Sequence, residues 1–441
     1  MHSLKQHTRI LCLLLVYLNM LTVLTGCTPL TIVRMLRMLK TGNPVFVGDS
    51  TAVDFTLSGH RILVPVHING SDRDFTFFLD TCGSTIIDLS VAGELNIKRG
   101  GEIRLNDDSP AFLSKKKVNV RLGDFEVTDL RILMLDLHIF NHSSDLEIHG
   151  FLGSDFLRHF RVTFDYMDKR LVLAQSKTDT TKPSIPQDRN GSSVSDAELN
   201  FGVSPANAEV YRIPITKRYP LHWPIVQCRL DRRKDVELYL DTGSPYTIVA
   251  PVSLIENKEF TPQGTCLESE GILVEWPGAF ADSIERNYLS RLESFRIGDL
   301  ELFDLPVIYA NCGSILLGRS FFTKYLMTID YPANELSLAP MPDSQLQQDL
   351  FSTGLGLKKE KSGRIIVTGF WKGSPADEQG LEIGDEVLSV NTIHAEELSN
   401  LVISKLLNDD NITVVNLVIK DDESEKPIFL EKRMLFTDVL E

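Results

Sequence analysis

The chain has no excess of positive charge. Its 441 residues hold 45 Lys and Arg against 60 Asp and Glu, a formal net charge of −15. Nucleic acid attracts a basic surface, so this balance excludes it as the expected partner and describes a well-solvated exterior. Two motif classes are also missing. Neither Gly-x-x-x-x-Gly-Lys-Ser/Thr nor Gly-x-Ser-x-Gly occurs, which leaves nucleotide and serine-hydrolase chemistry without support. His60, His67, His138, His142, His149 and His159 are scattered, with no ligand spacing to Cys or acidic residues. No metal and no cofactor is therefore expected. Cysteine is scarce, with 6 in the whole chain.

What remains is ordinary globular composition, 43% hydrophobic and 24% charged. The length suits about three domains of typical size. Lys5 and Arg9 precede an apolar run from Ile10 to Leu18 that continues to Leu24. A basic flank before a short apolar stretch reads as a secretory signal. It ends in Leu24-Thr25-Gly26-Cys27, which resembles a bacterial lipobox. That resemblance implies a lipoprotein signal over 1–26, lipid on Cys27, and a protein anchored to a bacterial membrane on its extracytoplasmic side, facing the periplasm or the cell surface. An uncleaved anchor would face the chain the same way, although the run is short for a span. Residues 27–43 form a membrane-proximal segment. Leu30, Ile32, Val33, Leu36 and Leu39 alternate there with Arg34, Arg37 and Lys40 in a helical pattern. Such a helix either lies on the membrane or leads into the first domain. Outside the cytoplasm, Cys82, Cys228, Cys266 and Cys312 can form disulfides in three full pairings. A Cys266–Cys312 bond, with Cys82 as a free thiol, is the expectation to be tested.

The main organisational feature is an internal repeat. Phe77-Phe78-Leu79-Asp80-Thr81-Cys82-Gly83-Ser84 is echoed by Leu238-Tyr239-Leu240-Asp241-Thr242-Gly243-Ser244. Gly150-Phe151-Leu152-Gly153 is echoed by Ile315-Leu316-Leu317-Gly318, and Thr163-Phe164-Asp165-Tyr166 by Thr328-Ile329-Asp330-Tyr331. Gly123-Asp124 and Gly298-Asp299 mark hairpin turns at matching places. Several blocks in the same order predict two similar β-rich lobes, over 44–175 and 205–341. Between them, 176–204 is a Ser/Thr/Pro/Asn-rich linker. A compact third unit spans 350–435.

An apolar strand running into Asp-Thr-Gly-Ser carries a carboxylate to its end. Glycine lets a backbone amide approach that carboxylate, and the Thr can bond across to its counterpart. Paired lobes would set Asp80 against Asp241. Two carboxylates in contact share one proton. The ionised member can activate water while the protonated member polarises a carbonyl. No metal and no covalent intermediate is needed.

On these motifs the chain resembles the retropepsin-like and pepsin-like aspartic peptidases over about residues 45–340. Thr247-Ile248 follows the second motif at the family spacing. The resemblance implies catalytic roles for Asp80 and Asp241. It implies supporting roles for Thr81, Cys82, Gly83, Thr242, Gly243, Ser244, Gly153 and Gly318. Cys82 departs from the family pattern, which has Gly there. A side chain at that point crowds the turn and sets a thiol beside the carboxylate.

Residues 350–435 resemble a PDZ domain of the bacterial protease-associated kind. Gly373-Ser374-Pro375-Ala376, Gly380-Leu381 and Gly384-Asp385-Glu386-Val387 carry the likeness. Gly354, Leu355, Gly356 and Leu357 match its peptide-binding loop. Such a module takes a peptide terminus by strand addition, or serves as a packing or dimerisation unit. The combined expectation is a mainly β chain, with two aspartic-protease lobes and a PDZ domain, cleaving extracytoplasmic polypeptides. The alternative is a catalytically impaired binding or scaffold lipoprotein that works through its PDZ domain.

Overall fold

The structure, a computed structural model, describes residues 41–436 apart from 105–109, 139, 142–145, 177–209, 220, 232–234, 258–265, 272–285, 343–344, 347–349, 361 and 422–423. The signal segment, Cys27, residues 28–40 and nearly all of the linker call fall outside the described residues. The fold is mainly β, as expected. Arg61–Ile68 shows why: every second side chain, Ile62, Val64, Val66 and Ile68, is buried. A period of two turns one face of a strand to the core. Both Gly-Asp signals close antiparallel hairpins, Val118–Leu122 with Phe125–Leu130 and Tyr288–Ile297 with Leu300–Ala310.

One strand plan occurs in each half. Phe75–Leu79 runs parallel to Gly150–Leu152, pairing Leu79 with Leu152. Val236–Leu240 runs parallel to Ile315–Leu317, pairing Leu240 with Leu317. The strand after each Asp motif, Ile86–Asp88 or Ile248–Pro251, pairs antiparallel with that same short strand. A six-stranded sheet joins the halves. At its centre Arg161–Asp165 pairs antiparallel with Tyr325–Asp330, and the Thr163 and Thr328 hydroxyls meet at 2.8 Å. The two Thr-x-Asp-Tyr blocks of the sequence thus cross at the midline. One continuous apolar cluster, including Phe164, Leu173, Ile329 and Leu338, runs through both halves.

The C-terminal unit has its own core around Ile365, Val367, Val387, Ile403 and Leu417. It is nevertheless sewn to the second half. Cys266–Gly271 pairs antiparallel with Ile365–Trp371, setting Ser269 opposite Trp371 and Gly271 opposite Gly369. The Lys372 amide extends the ladder to the Glu268 carbonyl at 2.9 Å. Trp371, Leu435 and Phe436 then pack on Ile225, Tyr239, Ile308 and Leu316.

The expected Cys266–Cys312 disulfide is not formed; Cys82, Cys228, Cys266 and Cys312 are all free thiols. Register explains this. Cys266 faces Ser290, and Ser290 faces Val307 in the next strand. That is already two strand spacings, about 9–10 Å, and Cys312 lies beyond the end of that strand at Ala310. A disulfide needs Cα atoms within about 7 Å.

The seam between the units depends on Gly271, whose φ is +77°. A Cβ there would stand 2.2 Å from the Thr368 carbonyl oxygen. Gly271→Ala should cost about 1–3 kcal/mol through strain and clash. Faster hydrogen exchange at the Lys372 amide, which bonds across the seam, with the Trp371 amide, which bonds the Gly354 carbonyl inside the C-terminal unit, still protected, is the expected readout.

Candidate active site

Asp80 and Asp241 each sit just past the end of a central strand. The partner strand fixes the backbone there: the Asp80 amide donates to the Leu152 carbonyl at 3.0 Å, and the Asp241 amide to the Leu317 carbonyl at 2.9 Å. The carboxylates are then held from inside their own turns. The Cys82 amide donates to Asp80 Oδ1 at 2.8 Å, and the Gly243 amide to Asp241 Oδ1 at 2.8 Å. A Cβ placed on Gly243 would lie 3.1 Å from Asp241 Oδ1 and 3.3 Å from Asp80 Oδ1, so the two carboxylates stand side by side.

The threonines lock the two turns together. The Thr81 amide donates to Thr242 Oγ1 at 3.1 Å, and the Thr242 amide to Thr81 Oγ1 at 3.0 Å. Thr81 Oγ1 in turn donates across to the Leu240 carbonyl at 2.6 Å. Thr242 Oγ1 reaches the Leu79 carbonyl at 3.4 Å. Both side chains are fully buried. Each hydroxyl therefore satisfies backbone groups of the opposite half, where water has no access.

Gly153 and Gly318 serve by having no side chain. A Cβ on Gly153 would come within 2.5 Å of the Gly83 carbonyl oxygen, and one on Gly318 within 2.2 Å of the Tyr246 carbonyl oxygen. Their segments thus press directly on the two Asp loops. Gly83 is equally confined, since a Cβ there would meet Asp80 Oδ2 at 2.8 Å. Ser244 is buried next to the same contact. All the residues singled out on the motif are therefore gathered into one constellation.

Burial pushes the Asp80 carboxyl above the ordinary range, offset by the Cys82 amide and a hydrogen bond to Asp241. Burial first, and then the neighbouring Asp80 charge, push Asp241 well above it. That is the pattern of two acids that hold a proton between them. Cys82 does not disturb the turn as expected. Neither it nor Gly243 has a positive φ, so a side chain at this position carries no left-handed backbone strain. Its thiol donates to the Leu240 carbonyl at 3.3 Å. Burial and the two Asp charges hold that thiol well above its usual pKa, so it is not a thiolate.

Sequence reasoning passed over several residues of the site. Thr85 donates its amide and hydroxyl to Asp155 Oδ1 at 2.8 and 2.6 Å, and accepts the Gly153 amide at 3.2 Å. Ser154 Oγ bonds the Gly83 carbonyl at 3.0 Å. In the second half Ser320 Oγ reaches the Pro245 carbonyl at 2.6 Å. Both sets lie just past the quoted repeat blocks, and these polar positions differ between the halves and give no periodic signal. Gly354 takes φ +74° and opens into Leu355–Lys359, which packs along the helix Asn400–Asn408. Asn400 fixes that helix by accepting the Lys359 amide at 2.7 Å.

The raised dyad makes a stability prediction. A carboxyl whose folded pKa exceeds its unfolded value favours folding at low pH, and loses that contribution as pH rises through the folded value. Asp241→Asn removes the buried charge. It should raise Tm at neutral pH, and the gain should vanish as pH falls below the ordinary carboxylate pKa. Thermal unfolding across pH 3–8 checks the sign.

Residues 64–156 match the family model described as aspartyl protease, and residues 344–420 match the PDZ domain model. No curated protein matches the chain. The first match contains Asp80, Cys82 and Gly153, while Asp241 lies outside both and stands on the geometry above. The chain is therefore one that carries an aspartyl protease domain and a C-terminal PDZ domain, a pairing that supports a protease-like or PDZ-mediated role.

Proposed function

We propose that the chain is an aspartic endopeptidase whose two similar lobes each supply one carboxylate, Asp80 and Asp241. The observation that carries this reading is the reciprocal Thr81–Thr242 lock beneath two adjacent carboxyls, both pushed above the ordinary range by burial. In the working state one proton sits on the pair. The ionised carboxylate takes a proton from a water molecule as that water attacks the scissile carbonyl carbon. The protonated carboxyl donates to the carbonyl oxygen, giving a neutral tetrahedral diol. One carboxyl then protonates the amide nitrogen while the other carboxylate takes a proton from a diol hydroxyl, so that the C–N bond breaks, the carbonyl re-forms as a carboxylic acid and the pair is left singly protonated. Turnover falls at low pH, where both acids are protonated, and at high pH, where the shared proton is lost.

In this reading the substrates are extracytoplasmic polypeptides, and the PDZ domain binds a peptide terminus or regulates access. Leu24-Thr25-Gly26-Cys27 supports membrane attachment through a lipid on Cys27, with the chain facing the periplasm or the cell surface. The alternative, a binding protein without catalysis, rests on Cys82. The retained 2.8 Å amide bond and the ordinary backbone there weaken it.

Digestion of a broad peptide pool tests the proposal. Asp80→Asn and Asp241→Asn should each lower turnover at least about a hundredfold, the scale of a lost acid–base group. Cys82→Gly should keep turnover or raise it. No cleavage by either the parent or Cys82→Gly, from acidic to neutral pH, hands the chain to the binding alternative.

A further inference from the structure

A hairpin of the second half reaches across to the helix that follows Gly153 in the first. The hairpin pairs Thr216–Arg218 with Trp223–Leu230. The helix is the single turn Ser154–Leu157, closed by Arg158. Ser154 holds both sides. Its hydroxyl lies 2.6 Å from the Leu221 carbonyl of the hairpin and 3.0 Å from the Gly83 carbonyl of the Asp80 turn. Its amide donates to the same Gly83 carbonyl at 3.0 Å. Arg158 makes the second contact. Its Nη1 meets His222 Nε2 at 2.5 Å, its Nε meets His159 Nε2 at 3.3 Å, and its Nη2 donates to the Thr41 carbonyl at 2.6 Å.

A guanidinium carries donors and no acceptor. Both imidazoles must therefore offer Arg158 a bare Nε2, with their one proton on Nδ1. A second proton on either ring removes that lone pair and sets another positive charge against the guanidinium. His159 is kept from that state, because burial, then Arg158, His222 and Lys217, hold its pKa down to about 3. His222 stands at the end of the hairpin, its ring edge-on to the exposed Tyr219. The other charged groups at the contact are Lys217, which Asp330 faces, and Asp155, which faces Arg158 and accepts from Thr85. His222 also takes φ +61°, a left-handed backbone that a non-glycine residue keeps only where its surroundings hold it.

We propose that His222 is an acid-sensitive latch between the two halves: uncharged, it keeps the hairpin on Ser154 and Arg158 and so braces the Asp80 turn; protonated, it is repelled by Arg158 and the turn loosens. The latch stands whether or not the dyad cleaves peptides. It belongs to one half alone. The corresponding hairpin of the first half, Thr56–Ser58 with Arg61–Ile68, carries His60 at its turn. Burial, Arg61 and Arg319 hold that ring down to about 3, so it stays uncharged where an ordinary imidazole, near about 6.5, is already protonated.

Residue-resolved hydrogen exchange on the full chain tests this at pH 7.5 and 4.5, with rates corrected for the intrinsic pH dependence of exchange. The Ser154 amide reports on the Gly83 contact, and the His222 amide, bonded to the Arg218 carbonyl at 2.7 Å, reports on the hairpin. Protection at both should fall about tenfold or more in acid, while Arg161–Asp165 in the central sheet keeps its protection. His222→Gln retains a neutral acceptor of similar reach and takes no charge, so its fall should be less than about threefold. His222→Asn suits a left-handed backbone and should also lose the pH response, with weaker protection at both pH values. Equal protection of the parent at the two pH values overturns the proposal. So does a fall that survives in both variants, which assigns it to Asp155. A ¹⁵N-histidine spectrum of the parent depends on no variant: a proton on His222 Nε2 at pH 7.5 overturns the latch outright.

Discussion

The site depends on four hydrogen bonds made across the midline by two buried threonines. Each of Thr81 and Thr242 accepts the other's amide and donates into the other half's strand end. Neither half can satisfy its own turn alone. An unpaired buried amide or carbonyl costs about 1–3 kcal/mol, so separating the halves would strand several such groups at once. This is what fixes Asp80 relative to Asp241. Proton sharing requires contact between carboxylates, and contact between like charges needs a scaffold that cannot relax away. The Thr163–Thr328 hydroxyl bond in the joining sheet is a second Thr–Thr contact between the halves. The site therefore sits over a seam pinned twice, and both pins are Thr–Thr contacts across the midline.

Most of this was legible in the sequence. The repeat blocks named the strands, the turn residues and the glycine contacts, because each follows from a local rule: alternation for strands, Gly where a backbone must approach. The threonine pairing was foreseen, since a hydroxyl beside a paired turn has only its counterpart to reach. Cys82 was misjudged in part. The expectation was a side chain crowding the turn, yet the Cys82 amide keeps its bond to Asp80, and neither Cys82 nor its partner Gly243 takes a positive φ. A motif glycine does not say whether it is needed for its angle or for its lack of a side chain. The disulfide failed for a related reason. Cys266 and Cys312 both flank the second lobe's hairpin, but register, which a sequence does not display, holds them strands apart.

The same packing accounts for an asymmetry between the halves. Phe78 and Phe151 in the first half occupy the positions of Tyr239 and Leu316 in the second. In the first half this outer face is covered from within: Leu137, Phe140 and Ile148, from the stretch between Leu135 and Gly150, lie over Phe78. The second half passes from Ala310 to Ile315 with no such stretch. Its outer face would be bare. Trp371, Leu435 and Phe436 cover it instead, from the PDZ unit and the chain that follows it. Burying side chains of this size contributes about 1.5–3 kcal/mol each, beyond the strand pairing between Cys266–Gly271 and Ile365–Trp371. The PDZ unit is therefore part of the second lobe's fold, with a core of its own. A domain tethered only by a linker could bind peptides without consequence for the dyad. One that completes the sheet behind Leu316 and Leu317, the strand whose carbonyl holds the Asp241 amide, cannot shift without that strand being affected.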